Sequence, residues 1–343
     1  MARKTKMNKL TSPELLKQVN PVNTELRDEF LNYLKAIQRS DGTIKQYRND
    51  LDIFFCWVLQ HAKNKDFTKV TKRDLIAFQG WLINENGNSP ARVRRLKAAI
   101  SSLSNFCENI LADEDEDYTN FRSIVRKIEN PALEAVREKT VLHDEDVENI
   151  LTQLVEQKKY QQACYVALAA YGGRRKAELC RFRVDDFADD KLICGGSLYK
   201  SAPIKTKGRG GGKMIPCYTL AKKFKPYYDL WMETRTQDGI ESQWLFPALD
   251  NPEDHLQIST VNSWMESISA MTGLNIYAHS FRHYYTTMLS NQGLPDNVIK
   301  EIQGWGSIAM VSVYLDRDME NTLDMYFDEN GIKEQTAKRL EDL

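Results

Sequence analysis

The longest uninterrupted apolar run, Ala163 to Tyr171, stops at Gly172-Gly173 and is followed at once by Arg174-Arg175-Lys176. It is about half the ~20 residues that a membrane span requires. It therefore predicts a strongly apolar helix within a globular chain, over Tyr160–Tyr171. The N-terminal stretch MARKTKMNKL is basic and lacks the apolar segment of a secretory signal. With 343 residues, 42% of them hydrophobic and 28% charged, the chain reads as an ordinary soluble protein rather than a disordered one. That length suggests two domains. The cysteines at 56, 107, 164, 180, 194 and 217 are scattered, with no CxxC or other metal-like spacing, and suit a reducing cytoplasm.

The net charge of −1 argues at first against a nucleic-acid binder, but the charge is segregated. Residues 1–110 hold 19 basic and 11 acidic side chains, and residues 191–230 hold 9 and 1. Residues 111–150 hold 5 basic against 12 acidic, and residues 301–343 hold 4 against 10. Two basic surfaces are expected beneath a balanced total.

The periodicity predicts a chain that is mainly α-helical with a small antiparallel β-sheet. Residues 1–23 read as a basic flexible tail interrupted by Pro13 and Pro21. Residues 24–113 carry four helical patterns: a first from Thr24 to Ile37, a second from Thr43 to His61, a third over Leu75–Ile83 behind Thr71-x-x-Asp74, and a fourth from Pro90 to Leu111. The fourth begins with Arg92, Arg94, Arg95 and Lys97 beside an apolar stripe of Val93, Leu96, Ile100, Leu103 and Phe106, so one face packs while the basic side is a candidate for DNA phosphates and major-groove entry. Residues 114–142 read as a linker, and a second domain runs over 143–326. Its strand patterns, Lys191–Cys194, Leu198–Lys207 and Lys213–Tyr218, include a hairpin around Gly208-Arg209-Gly210-Gly211-Gly212, with Arg209 as a further DNA contact. Helical patterns continue at 219–235, 259–272, 279–292, 295–303, 307–316, 319–326 and 330–342.

Three short clusters carry chemistry. In Gly172-Gly173-Arg174-Arg175-Lys176-Ala177-Glu178-Leu179, an arginine opens a helix and Glu178 comes three residues after Arg175. In His279-Ser280-Phe281-Arg282-His283, an imidazole and a guanidinium share one face, an arrangement suited to a phosphate, while Phe281, Tyr285 and Leu289 face the core. After Gly304-Trp305, a tyrosine, Tyr314, stands nine residues beyond the tryptophan. Each alone is common: a surface ion pair, a chance HxxR, a packing tryptophan. The pairs Asp185-Asp186 and Asp189-Asp190 read as a solvated loop rather than a metal site, and GRGGGK lacks the spacing of a nucleotide-binding P-loop.

Taken in order, YGGRRKAEL, HSFRH and QGWGSIAMVSVY, with a lysine-bearing hairpin between the first two, resemble the tyrosine recombinase (phage integrase) family, whose text runs TGxRxxEL, HxLRH, LGH or GW, then Tyr. The resemblance covers about residues 140–326 and, more loosely, the helical unit before them, which is similar to the family's core-binding domain. It implies a helical core-binding domain joined to a mixed α/β catalytic domain. It also implies the catalytic set Arg175, Glu178, a hairpin lysine, His279, Arg282, Trp305 and the nucleophile Tyr314. Trp305 stands where most members have His. For the lysine, Lys205 heads a Lys-Thr pair like that of many members, while Lys207 stands directly before the glycine turn; both stay open, with Lys205 preferred. Arg174 has no role.

The resemblance further implies cleavage through a 3′-phosphotyrosyl ester without metal, ATP or cofactor. The implied partners are double-stranded DNA sites with inverted-repeat half-sites, a homotetramer joining two such sites, and an accessory directionality factor. The biological job is phage or mobile-element integration and excision, or replicon resolution. The 327–343 segment is expected as a C-terminal helix exchanged between protomers. Few residues precede Thr24, so a two-domain enzyme without an arm-binding domain is expected. Two other readings compete: a type IB topoisomerase, and a DNA-binding protein that has lost catalysis.

Overall fold

The computed structural model describes residues 10–132, 140–206, 213–248 and 250–314, together with 327–328 and 331–332; at residues 314, 327–328 and 331–332 it describes the backbone. The chain divides into two compact units at residues 138/139.

The first unit is helical: α1 (Pro13–Leu16), α2 (Pro21–Ala36), α3 (Asp41–His61), α4 (Lys72–Asn84) and α5 (Pro90–Asn109). Each start has a local cause. Asn20 caps α2 with Pro21 in its first turn, Ser40 caps α3, Thr71 and Asp74 form a reciprocal capping box on α4, and Ser89 caps α5 ahead of Pro90. Phe30 and Leu34, Leu51, Phe54 and Val58, Leu75 and Phe78, and Leu96, Ile100 and Leu103 meet in one core.

Two expected boundaries move. The tail expected over 1–23 is folded from residue 10: Leu10, Leu15 and Leu16 pack on the core and Val19 is buried within it. Pro21 does not interrupt a helix but opens α2, where its missing N–H costs nothing. The linker expected over 114–142 is, through residue 128, part of the helical unit, because Tyr118, Phe121 and Ile124 are buried in the same core. Three apolar anchors after the acidic run are enough to hold this segment down.

The second unit is built around α7 (Tyr160–Gly172), whose residues Ala163 to Gly172 are all buried. It packs against α6 (Asp144–Glu156), α9 (Ala221–Gln237) and α11 (Ala278–Asn291). A helix that is apolar all round needs cover on every side, and these elements provide it. Short α8 (Lys176–Leu179) comes after the turn that ends α7. Strands β1 (Leu192–Ile193), β2 (Leu198–Lys200) and β5 (Tyr218–Leu220) form an antiparallel sheet in the order β1-β2-β5, and β3 (Ile204–Lys205) pairs with β4 (Met214–Ile215). The two long strands expected at 198–207 and 213–218 are thus each broken in two, near Pro203 and at Pro216, residues that cannot donate to a ladder. Beyond α10 (Ile258–Thr272) and α11 come α12 (Asp296–Gln303) and α13 (Ala309–Tyr314). Where a helix was expected over 330–342, β7 (Gly331–Ile332) pairs antiparallel with β6 (Phe327–Asp328). The remaining expected helix, 319–326, and residues 333–343 lie outside the described residues.

Candidate active site

The site begins where α7 ends. Gly173 takes a left-handed conformation, φ +64°, and a Cβ there would lie 2.2 Å from Tyr285 Cδ1. Only glycine fits. This turn separates the two arginines. Arg174 goes inward and is 1% exposed. Arg175 goes outward, its side chain 34% exposed, and heads α8. Glu178, on the next turn, is buried and its carboxylate accepts from the Arg175 guanidinium at 3.1 Å and from the Arg175 backbone N–H at 3.2 Å.

Helix α11 supplies the second half. Phe281, Tyr285 and Leu289 are buried as their spacing predicts. Arg282 is fully buried; its Nη1 donates to the Gly173 carbonyl at 2.7 Å and its Nη2 to the Gln303 carbonyl at 3.0 Å. Its guanidinium lies 5.2 Å from the Trp305 ring centroid, within cation–π range. One side chain thus ties together the Gly173–Arg175 turn, α11 and the end of α12. His279 stands one turn before His283, ring centroids 5.4 Å apart. Burial, and then the positive fields of His283, Arg282 and Arg175, push the His279 imidazole down to about 4. It is therefore neutral at physiological pH, with its lone pair unprotonated but weakly basic.

Arg175 thus pairs with Glu178, His279 lies within the fields of Arg282 and Arg175, and Arg282 lies beside the Trp305 ring. For the Lys205 side chain, no hydrogen bond or ion pair to these residues is formed among the described residues. It lies exposed on β3 opposite Met214, and its carbonyl accepts from Arg181 Nη2 at 2.8 Å. Lys207 and Arg209 lie outside the described residues, as does the side chain of Tyr314, whose backbone ends α13. Asp186 of the carboxylate pairs is buried and caps backbone N–H groups of Arg183 and Ala202, at 2.8 and 2.9 Å. Among the described residues, no group of three or more His, Cys, Asp or Glu side chains is placed to hold a metal.

In the helical unit the basic start of α5 is largely engaged. Arg92 and Arg95 both bind Asp50, at 2.6 and 3.2 Å. Arg94 holds the Pro131 carbonyl at 2.9 and 2.7 Å. Lys97, expected on the DNA side, is 7% exposed, and its ammonium donates to the carbonyls of Ile128 and Glu129. It faces inward because it shares the apolar side of the helix with Val93 and Leu96. Sequence reasoning also passed over Arg174 and Gln303, both 1% exposed, since nothing local marks which of two adjacent arginines turns inward.

The phage integrase family matches residues 140–321, and the N-terminal SAM-like domain of phage integrases matches residues 26–117. A prophage-derived recombinase-like protein of Bacillus subtilis, YomM, is 30% identical over 78% of this chain and 79% of its own. The tyrosine recombinase XerA of Pyrococcus horikoshii is 24% identical over 85% of this chain and 89% of its own. In fold, the XerH site-specific recombinase bound to a palindromic difH substrate aligns with TM-score 0.66 and 17% identity, covering 88% of this chain and 83% of that one. A lambda integrase tetramer bound to a Holliday junction aligns with TM-score 0.63 and 14% identity, covering 85% and 77%. The family match spans the unit that carries Arg175, Glu178, His279, Arg282 and Trp305, and with the N-terminal match in front of it the chain belongs to the phage integrase family, the tyrosine recombinases, in their two-domain form.

Proposed function

We propose that this protein is a site-specific DNA recombinase whose nucleophile is Tyr314. The observation that carries the reading is the proximity of Arg175, His279 and Arg282 to Trp305 within one unit, in which that tyrosine follows the tryptophan by nine residues as the last residue of α13. In the proposed step the Tyr314 phenol oxygen attacks the scissile phosphorus. A P–O bond forms to tyrosine and the bond to the 5′ oxygen breaks. A phenol of ordinary pKa ~10 must lose its proton as it attacks; neutral His279 accepts it, or the arginine-rich field assists its loss. The leaving 5′ oxygen takes a proton from the hairpin lysine, Lys205 or Lys207. The guanidinium groups of Arg175 and Arg282 stabilise charge on the non-bridging oxygens. Trp305 donates only through its indole N–H, so it packs the site or holds a phosphate oxygen and moves no proton. Because the ester keeps the energy of the phosphodiester, the reverse attack by a 5′-hydroxyl rejoins the strands without nucleotide hydrolysis or cofactor.

The same reading names the partners: two duplex sites with inverted-repeat half-sites, joined by four copies of the chain, with a directionality factor where excision must be distinguished from integration. The C-terminal segment 327–343 reaches a neighbouring copy. The job is mobile-element or phage integration and excision, or replicon resolution, in the cytoplasm.

The test is a nicked duplex carrying the target site, resolved by denaturing electrophoresis. A sequence-dependent covalent adduct that disappears in Tyr314→Phe supports the reading. An adduct that persists in that variant removes the nucleophile. Equal relaxation of any supercoiled plasmid replaces the recombinase with a topoisomerase. DNA binding without any adduct leaves a binding protein.

A further inference from the structure

Two arginines stand directly after Gly173, and the proposed chemistry uses the second alone. Arg174 is 1% exposed and has no carboxylate partner among the described residues. Its Nη2 donates to the carbonyls of Pro216 and, at 2.9 Å, of Ile302, and its Nη1 reaches that of Gln303 at 3.5 Å. Pro216 stands one residue past β4, the strand that pairs with Lys205 on β3. Ile302 and Gln303 close α12, where carbonyls lack intrahelical donors and a cation is favoured. The Gln303 carbonyl also takes Nη2 of Arg282 at 3.0 Å. A Cβ on Gly304, the next residue, would lie 2.1 Å from Ile215 Cδ1 and 3.6 Å from Arg174 Nη1. The hairpin, Arg174 and the turn into Trp305 are therefore in direct contact.

We propose that Arg174 is a positioning residue for strand cleavage. It registers the β3–β4 hairpin, which carries the candidate lysine acid, against the α12–Trp305 segment and Arg282. This rests on the recombinase reading. A buried guanidinium answered by neutral carbonyls is an expensive way to fill space, and an apolar side chain of similar volume would do so at lower desolvation cost. What the planar fork adds is direction: one rigid group fixes carbonyls from two segments distant in sequence.

The experiment is single-turnover cleavage of a nicked duplex by the full chain, with wild type, Arg174→Met and Arg174→Lys. Two scissile linkages are compared: the ordinary phosphodiester, and one with sulfur at the 5′-bridging position. A thiolate, with pKa ~8.5, leaves without prior protonation, so the sulfur substrate bypasses the acid. Arg174→Met is expected to bind DNA as wild type does and to cleave the phosphodiester ~100-fold more slowly, the size of a lost proton transfer. It should cleave the sulfur substrate at close to the wild-type rate. Arg174→Lys, which keeps charge and donors, recovers part of the phosphodiester rate. Wild-type cleavage of the phosphodiester by Arg174→Met overturns the proposal, and so does an equal loss on both substrates. Should Arg174→Met not fold, Arg174→Lys decides by the same comparison. Failure of the underlying reading is separate: wild type then forms no adduct with either substrate, or Lys205→Ala and Lys207→Ala both cleave the phosphodiester normally, and the proposal falls with it.

Discussion

Glu178 accepts from Arg175 twice, at 3.2 Å from the backbone N–H and at 3.1 Å from the guanidinium. The carboxylate is buried, so its charge acts at short range and with little screening. It sets where a half-exposed arginine points before any phosphate arrives. In Glu178→Gln the amide oxygen still accepts the N–H but the charge is gone. A hydrogen bond to a charged group contributes ~1.5–3 kcal/mol, so single-turnover cleavage should fall by ~10- to 100-fold. DNA affinity should change little. A cleavage rate equal to wild type would show that Arg175 is oriented by something else.

The imidazole of His279 is pushed down to about 4 from an ordinary 6.5, first by burial and then by the fields of His283, Arg282 and Arg175. Between those two pH values the unfolded chain binds the proton and the folded chain does not. Stability therefore rises with pH across that window and, as far as this group is concerned, is flat above it. Below about 4 the residue is protonated in both states and its contribution is lost. Urea midpoints measured at pH 5 and pH 8 should differ more in wild type than in His279→Gln. An unchanged difference would place His279 in an ordinary solvated setting.

Much of the fold is legible from the chain, and the parts that are not have identifiable causes. Helix starts can be read because Ser89-Pro90 and Thr71-x-x-Asp74 act locally. The second unit's core can be read because the run Ala163–Tyr171 leaves no polar face. Pro21 reads wrongly as a break because proline is a breaker inside a helix and a favoured opener at its first position, and the choice depends on where Asn20 caps. Tyr118, Phe121 and Ile124 escape notice because three anchors, though evenly spaced, span too short and polar a stretch to register as structure until a core is present to receive them. At the site, the ordered resemblance to the family names Arg175, Glu178, His279 and Arg282, which no single motif would do. It cannot tell that Arg174 turns inward, since that depends on the left-handed Gly173 and on carbonyls more than a hundred residues away in Ile302 and Gln303.

The two left-handed glycines beside the site should differ in tolerance. A Cβ at Gly173 meets Tyr285 Cδ1 at 2.2 Å and Gln303 Nε2 at 2.8 Å, within a core ring that cannot retreat. Left-handed strain of ~1–2 kcal/mol adds there to an overpacking cost of ~1–3 kcal/mol. At Gly304, φ +67°, the near atom is the terminal Cδ1 of Ile215, which can rotate away. Gly173→Ala should therefore lower the urea midpoint clearly more than Gly304→Ala. Equal shifts would mean that the Tyr285 ring yields.

The basic start of α5 separates into residues that hold the fold and residues available to a phosphate. Lys97 is 7% exposed, its ammonium serves two backbone carbonyls, and burial and then nearby Arg94 push its pKa down. Arg95 keeps a side chain 49% exposed while pairing with Asp50. Lys97→Met should lower the melting temperature of the chain and leave the salt dependence of DNA binding unchanged, because no phosphate contact is lost. Arg95→Ala should leave melting nearly unchanged. It should reduce the slope of log K against log salt by about 1, the signature of one phosphate contact. Binding titrations over a salt series, made on both variants, decide between them: a reduced slope in Lys97→Met would put its ammonium on the DNA, against the carbonyls it serves in the free protein.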